Sequence, residues 1–385
     1  MKKLVLAAIA VIAAAGLAMQ PALAAPAVPD GVKASYMVNY ETGTVIHAQN
    51  EDRRLPIASM CKIMSLVLVY ESIEKGALDP EGEISVSREA AGMGGSQVFL
   101  DADRNYKVSE LIKSVIICSA NDATYALAEA VSGSEEAFVQ DMNQKAQSLG
   151  MNDTLFSNST GLPRPSQYST AKDVATMTAE LLKYPNYFSA SSIWMDKFVH
   201  NADRFTEMTN TNKLVRFYRG CDGGKTGYTA EAGHCISATA QRDNMRMIAV
   251  IIGAPDSKTR FAAASGLLNH GFANYRSVML VDKDKPLDVQ AAIKGGKADT
   301  VSVYPQRSYH VFAERSSPPA RQVEFELSGQ LRAPVKKGDS AGRLLILENG
   351  AVVEEIPLIA GDDVAARSFF DSFGNAADNW NVGGK

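Results

Sequence analysis

Leu55-Pro56-Ile57-Ala58-Ser59-Met60-Cys61-Lys62-Ile63-Met64 runs straight into Ser65-Leu66-Val67-Leu68-Val69-Tyr70. Ile63, Met64, Leu66, Val67, Leu68 and Val69 leave this segment almost no polar face. A helix that is hydrophobic all round is a buried one. The stretch therefore predicts a central core helix with Ser59 near its N-terminus. Upstream, residues 34–49 read as two short strands around the turn signal Glu41-Thr42-Gly43.

Downstream, residues 108–131 carry helical periodicity broken at Ser119-Ala120-Asn121-Asp122, and 134–149 read as a helix ending at Gly150. Residues 151–169 are rich in Asn, Ser, Gly and Pro and read as a long loop. Ser169 or Thr170 then caps a helix to about Lys183. Residues 219–255 read as two or three antiparallel strands, one of them through Lys225-Thr226-Gly227, and 259–275 as a helix. Near Val278 the texture changes to short alternating segments at 301–304, 322–327 and 344–347, divided by Gly, Pro and Asp. That pattern predicts a small all-β domain behind a mixed α/β one.

The chain of 385 residues is 46% hydrophobic, enough for a large core and for two or three domains. Its formal charge is -4, with no long basic run, which excludes a nucleic-acid reading. Lys2 and Lys3, the apolar run Leu4 to Met19 and the small-x-small Ala22-Leu23-Ala24 read as a secretory signal peptide over 1–24. The expected location is the periplasm or the outer face of the cytoplasmic membrane. No Cys follows the cut, so a lipoprotein anchor is not expected.

Export permits disulfides. The four cysteines are Cys61, Cys118, Cys221 and Cys235, without a CxxC pair. Cys221 and Cys235 flank the expected hairpin and can bridge; alternatively all four are small buried hydrophobes. The five histidines form no metal pattern or clear triad, and no metal or cofactor is expected. Phe369, Phe370, Phe373, Ala376, Ala377 and Trp380 recur at helical spacing in a tail over 365–385. That tail either lies in a membrane interface, packs on the β domain or stays disordered; Asp371 and Asp378 interrupt its apolar face.

Three short motifs occur in order: Ser59-Met60-Cys61-Lys62, Ser119-Ala120-Asn121 and Lys225-Thr226-Gly227. Each alone is common, and their weight lies in order and context. Residues i and i+3 share a helix face, so Lys62 reaches the Ser59 hydroxyl. A serine is a weak nucleophile until a base takes its proton. A lysine serves as that base only when burial or a nearby cation lowers its pKa. The apolar helix supplies the burial and Lys225 the second charge. Ser119 and Asn121 lie between helices, where a hydroxyl and an amide can face a cleft. A strand bearing Lys225 can bind an extended peptide along its edge, and Gly227 permits close approach.

With their surroundings, these residues resemble the penicillin-recognising acyl-serine transferases. The nearer likeness is to the D-Ala-D-Ala carboxypeptidase family of low-molecular-mass penicillin-binding proteins. It is carried by Leu55 to Met64, by Ser119-Ala120-Asn121-Asp122-Ala123 and by Asp222-Gly223-Gly224-Lys225-Thr226-Gly227-Tyr228-Thr229. Asn210-Thr211-Asn212 and Ala232-Gly233-His234-Cys235 also fit.

The likeness implies an α+β fold: a β-lactamase/transpeptidase-like domain, with an antiparallel sheet flanked by helices plus an all-α part, then a small all-β sandwich. The implied division is a catalytic domain over 25–277, a β domain over 278–364 and the tail. It implies Ser59 as acylated nucleophile and Lys62 as its base, with Ser119, Asn121 and Lys225 completing the proton network. The backbone amides of Ser59 and Tyr228 match the family's oxyanion hole. Gly227 lies beside them, and Thr226 and Arg260 match groups that bind the substrate's terminal carboxylate. Peptidoglycan stem peptides are the implied substrates and β-lactams the implied covalent inhibitors. Two positions depart: Cys61 stands where Thr is usual, and Thr211 where some members carry Arg, which implies a weaker grip on the carboxylate.

Other readings were open to this sequence. Ser59 also suits a helix N-cap, Arg260 a surface arginine, and Asp173 part of a helix cap rather than a catalyst. A β-lactamase would need a deacylation base between Ser119 and Lys225, and no convincing E-x-x-x-N occurs there. A cross-link endopeptidase or a penicillin-binding scaffold with little turnover remain as alternatives. A near P-loop at 220–226 has the wrong Gly spacing.

Overall fold

The structure is a computed structural model that describes residues 26–317 and 321–368. The leader expected over 1–24 and the aromatic positions from Phe369 onward lie outside the described residues. Two compact units divide between Asn274 and Tyr275, and each is taken by itself.

In chain order, the first unit starts with β1 (Ala34–Asn39), β2 (Val45–Gln49), α1 (Lys62–Glu74), β3 (Glu83–Ser85), α2 (Arg88–Ala91) and β4 (Asn105–Lys107). Next come α3 (Val108–Ile117), α4 (Asn121–Ser132), α5 (Glu135–Ser148), α6 (Ala171–Leu181), α7 (Phe188–Ser191), β5 (Met195–Val199) and β6 (Phe205–Thr209). It ends with α8 (Leu214–Phe217), β7 (Cys221–Thr229), β8 (Gly233–Arg242), β9 (Met245–Ala254) and α9 (Ser257–Asn274).

The main sheet has the order β2-β1-β9-β8-β7, antiparallel throughout, with β7 at one edge. Its centre, β9, reads Met-Arg-Met-Ile-Ala-Val-Ile-Ile-Gly-Ala, and all of it is buried. A strand buried on both faces loses alternation and becomes a near-continuous apolar run. Helix α6 covers one face and α9 the other. At the edge of the sheet, the β1–β2 turn is fixed locally. The Asn39 side-chain oxygen accepts from Thr42 N at 3.0 Å, and Gly43 takes a φ of +68°.

Helix α1 is the core element the sequence predicts: ten of its thirteen residues are buried. It packs against α4, α5 and α6. Each buried Leu, Ile, Val or Met contributes roughly 1.5–3 kcal/mol of transfer free energy. That cluster therefore makes α1 a rigid mount. Helix α6 starts as expected, with Thr170 Oγ1 accepting from Asp173 N at 3.0 Å. Asp173 in turn accepts from Thr154 Oγ1 at 2.7 Å, which ties the 151–169 loop to that cap.

The second unit is all β: β10 (Tyr275–Val281), β11 (Gln290–Lys294), β12 (Thr300–Pro305), β13 (Tyr309–Glu314), β14 (Gln322–Leu327), β15 (Leu331–Arg332), β16 (Ser340–Glu348) and β17 (Ala351–Ala360). Six strands form a sheet of order β14-β16-β17-β12-β11-β15, and β10 pairs with β13 as a separate ribbon. Leu280, Val281 and Tyr309 of the ribbon pack with Leu344, Ile346, Ile356 and Leu358 of the sheet. This two-layer packing is the β-sandwich arrangement that the resemblance implies. Val278, where the texture changes, lies inside β10.

The cysteines resolve the question left open by the sequence. All four are free. Cys235 pairs with Gly227 in the β7–β8 register, whereas Cys221 pairs with Ala240. The hairpin thus holds the two sulfurs several residues apart along the strands, too far for a bridge.

Candidate active site

Ser59 sits in a tight 3-10 turn, Ala58–Cys61, that feeds directly into α1. Ala58 is left-handed at φ +48°, unusual for a residue with a Cβ. Lys62 follows at the first position of α1, with no solvent exposure. Its Nζ donates to Ser59 Oγ at 3.0 Å and to Thr160 O at 2.5 Å. Burial holds the Lys62 amine down at about 7, far below an ordinary lysine. The same side of α1 grips the 158–160 loop twice more, through Cys61 Sγ to Asn158 O and Ser65 Oγ to Ser159 O. This loop is therefore pinned to the helix that carries the serine.

The turn between α3 and α4 supplies the second wall. Ser119 takes φ +66°, is 4% exposed, and its Oγ meets no protein partner. Asn121 opens α4, donating from Nδ2 to Gly94 O at 2.6 Å and from its backbone N to Ser96 O at 2.7 Å. Its Oδ1 is also buried without a protein partner. Buried polar atoms are almost always paired, so two orphans two residues apart mark groups kept for something else.

Strand β7 is the third wall. Lys225 is buried, and its Nζ donates to Thr226 O at 2.9 Å. Burial first, then the Lys62 charge, push the Lys225 amine well below the ordinary lysine range. The two lysines are thus within electrostatic reach of one another. Gly227 lies against the Ser59 turn. A Cβ there would stand 2.7 Å from Ile57 O and 3.0 Å from Ser59 N, so only glycine fits. Thr226 is buried beside it, while Tyr228 is exposed and stacks on His234 at 4.3 Å.

The structure thus brings Ser59, Lys62 and Gly227 into one corner, with Lys225 in electrostatic reach. Ser119 and Asn121 sit on the turn whose Cys118 thiol also senses the Lys225 charge. Arg260 is placed differently from its neighbours. Its guanidinium donates to Gly227 O and Cys235 O, each at 3.2 Å, and to Ser257 Oγ at 3.3 Å. It thereby bonds the strand backbone, and its Nε has no partner. Burial lowers it to about 10.

The supports of β7 carried little sequence signal. Gly224 N donates to Tyr187 Oη at 2.8 Å, Asn212 Nδ2 donates to Gly223 O at 2.9 Å, and Ser191 Oγ donates to Asp222 O. Asn212 belongs to the Asn210-Thr211-Asn212 stretch that fits the family; the Tyr187 and Ser191 contacts are single bonds to backbone groups, which no residue pattern announces. Cavity size would have misled as well. A cavity of about 560 Å³ lies beside Glu71, Asp141 and Lys145, away from all these groups. Among the described residues, no cluster of His, Cys, Asp and Glu could hold a metal ion.

A family model described as D-alanyl-D-alanine carboxypeptidase matches residues 24–256, well over half of the chain. The chain belongs to the D-alanyl-D-alanine carboxypeptidase family. Residues 275–366 match a second model, the C-terminal domain of penicillin-binding protein 5. The chain is 35% identical to D-alanyl-D-alanine carboxypeptidase DacF of Bacillus subtilis, over 90% of each chain. It is 32% identical to D-alanyl-D-alanine carboxypeptidase DacC of Escherichia coli, over 88% of this chain and 85% of that one. Among solved structures, the carboxypeptidase DacD of Francisella tularensis superposes with a TM-score of 0.66 at 28% identity, covering 93% of this chain and 100% of its own. As a carboxypeptidase-family chain it carries the family's two-part build, a transpeptidase-like unit and an all-β one.

Proposed function

We propose that this chain is a serine-type D-Ala-D-Ala carboxypeptidase that removes the terminal D-Ala from peptidoglycan stem pentapeptides. The observation that carries the reading is the 3.0 Å contact from Lys62 Nζ to Ser59 Oγ, made by an amine that burial brings to about 7. A base titrating near the working pH is well matched to its task.

In this reading, neutral Lys62 takes the hydroxyl proton as Ser59 Oγ adds to the carbonyl carbon of the penultimate D-Ala. The backbone amides of Ser59 and Tyr228 receive the developing oxyanion. Asn121 bonds the substrate backbone. As the C–N bond breaks, the proton passes through Ser119 to the amine of the departing D-Ala. Water then adds to the acyl carbon and restores Ser59. Thr226 and Arg260 meet the terminal carboxylate, and Lys225 completes the proton network. Arg260 also donates to the Gly227 and Cys235 carbonyls, which holds it beside β7.

β-Lactams acylate Ser59 in this scheme, because they offer a strained amide and a carboxylate in the same pose. The site residues are assigned to a catalytic domain over 25–277, followed by the β domain over 278–364. Export through the 1–24 leader places the enzyme where its substrate is. The 365–385 tail provides peripheral membrane contact.

The test is release of free D-Ala from a pentapeptide ending in D-Ala-D-Ala, with Ser59→Ala alongside. Release by the wild type and none by the variant is the expected result. Labelling by a fluorescent penicillin without D-Ala release would favour an endopeptidase or a scaffold. Neither release nor labelling would overturn the assignment.

A further inference from the structure

Strand β7 lies at the edge of its sheet, yet three side chains already hold its backbone just before Lys225. Tyr187 Oη accepts from Gly224 N at 2.8 Å, Asn212 Nδ2 donates to Gly223 O at 2.9 Å, and Ser191 Oγ donates to Asp222 O. All three residues are buried. They close directly on the strand: a Cβ at Gly223 would stand 2.9 Å from Tyr187 Oη and 3.2 Å from Ser191 Oγ. The same residues belong to a bridge across the end of the cleft. Thr211 N donates to Ile117 O at 3.0 Å, two residues before Ser119, while Asn212 holds Gly223 O, two residues before Lys225. Asn210 Nδ2 ties this bridge to Ser191 O at 3.1 Å and to Ile193 O at 2.9 Å. Residues 210–212 thus span from the end of α3 to the start of β7, directly behind Ser119 and Lys225.

The side of the reaction that this bridge faces follows from the proposed function, on which the inference rests. The scissile carbonyl lies at the amides of Ser59 and Tyr228, and the terminal carboxylate lies at Thr226. The leaving side therefore points back along β7 toward Lys225 and Gly224, antiparallel to the strand. An extended chain advances about 3.3 Å per residue. A residue added beyond the terminal D-Ala would arrive at Gly224 and Gly223, whose amide and carbonyl Tyr187 and Asn212 already hold.

We propose that Tyr187, Ser191 and Asn212 form a stop that limits the leaving group to a single residue. They take the backbone partners that a longer peptide would need in order to add along β7. The extra peptide groups of such a substrate would be desolvated without partners, which is costly. The stop is a barrier separate from the contact with the terminal carboxylate, and it acts against any leaving group that continues past that point. All three are positioning residues, acting on substrate length through β7 and the 210–212 bridge.

The experiment uses the mature enzyme and one stem peptide with three endings: D-Ala-D-Ala, the C-terminal amide of that peptide, and D-Ala-D-Ala-Gly. The amide loses the carboxylate without adding a residue, so the ratio of kcat/KM between the glycine-extended peptide and the amide isolates the stop. Both peptides meet the same folded molecules, so any change in folded fraction cancels. Wild type is expected to cleave the extended peptide at least about tenfold more slowly than the amide, the scale of one or two unmade hydrogen bonds. Tyr187→Phe removes the acceptor of Gly224 N, and Asn212→Ala removes the amide donor to Gly223 O. Each is expected to narrow the gap by about threefold to tenfold. Equal kcat/KM on the extended peptide and the amide in the wild type overturns the proposal, as does a gap that both variants keep. Absence of D-Ala release from the D-Ala-D-Ala peptide would instead strike at the proposed activity itself.

Discussion

Ser59 and Lys62 stand one helical turn apart, and the fully buried Lys62 places its Nζ 3.0 Å from the Oγ of the half-buried Ser59. The amine must be neutral to accept the serine proton. Its pKa is lowered to about 7, so the neutral fraction grows as pH rises through that value. Acylation by a fluorescent penicillin should accordingly fall about tenfold per pH unit below 7 and level off above it. Lys62→Arg keeps the side chain protonated and should slow acylation by at least about 100-fold at every pH. A flat pH profile in the wild type would show that Lys62 is not the base.

Gly227 is where β7 meets the nucleophile turn. Its backbone is extended, so strain in φ is not the issue. The Cβ of Gly227→Ala would meet Ile57 O at 2.7 Å and Ser59 N at 3.0 Å, both backbone atoms that cannot swing aside. The Ser59 turn must move to make room. A displacement of about 1 Å can cost on the order of 100-fold in rate. Penicillin labelling of Gly227→Ala should slow by that order while most of the chain stays folded. Wild-type labelling rates in this variant would mean the turn yields without cost.

Much of this site was legible in the sequence because it is written in helical spacing. The run from Ile63 to Tyr70 predicts a buried helix, and a buried helix turns Ser59 and Lys62 into a pair. The break at Ser119 was legible as a break, but not its left-handed φ of +66°, which tertiary contacts impose on a residue with a Cβ. The 158–160 loop read only as loop. Its part in the site is a carbonyl, Thr160 O, and carbonyls belong to every residue alike. Arg260 read as a partner for the substrate's carboxylate; the contacts that hold it, to the Gly227 and Cys235 carbonyls, are again backbone groups that carry no residue signal. Pairing of Cys221 with Cys235 depended on hairpin register, which the structure fixes and composition does not.

Asn212 links two walls of the cleft. Its Nδ2 bonds Gly223 O, two residues before Lys225, and its Oδ1 accepts from Leu214 N at 3.1 Å. The adjacent Thr211 N bonds Ile117 O, two residues before Ser119, at 3.0 Å. Asn212→Ala leaves the buried Leu214 amide unpaired and Gly223 O with only the Cys221 thiol, at about 2–3 kcal/mol in all. The melting temperature of the first unit should drop by roughly 5–10 °C. Penicillin acylation per folded molecule should fall as well, because the strand leading to Lys225 is released. Asn212→Asp keeps the Leu214 contact and should lie between the two. A lowered melting temperature with unchanged acylation would make Asn212 structural only.

The cysteines offer an independent check on the packing. Cys61, Cys221 and Cys235 are buried, and burial pushes their thiols up to about 12, about 12 and about 11. The nucleophile in thiol chemistry is the thiolate, and at pH 8 these groups supply almost none. Cys118 is half-buried and raised to about 11, chiefly by its own burial, so it too should react slowly. A thiol-specific chromogenic reagent should therefore find almost no reactive thiol in the native enzyme. In denaturant without reductant it should find four per chain, because every cysteine is free. Two thiols in denaturant would reveal a disulfide, and would mean that the β7–β8 register described here is wrong.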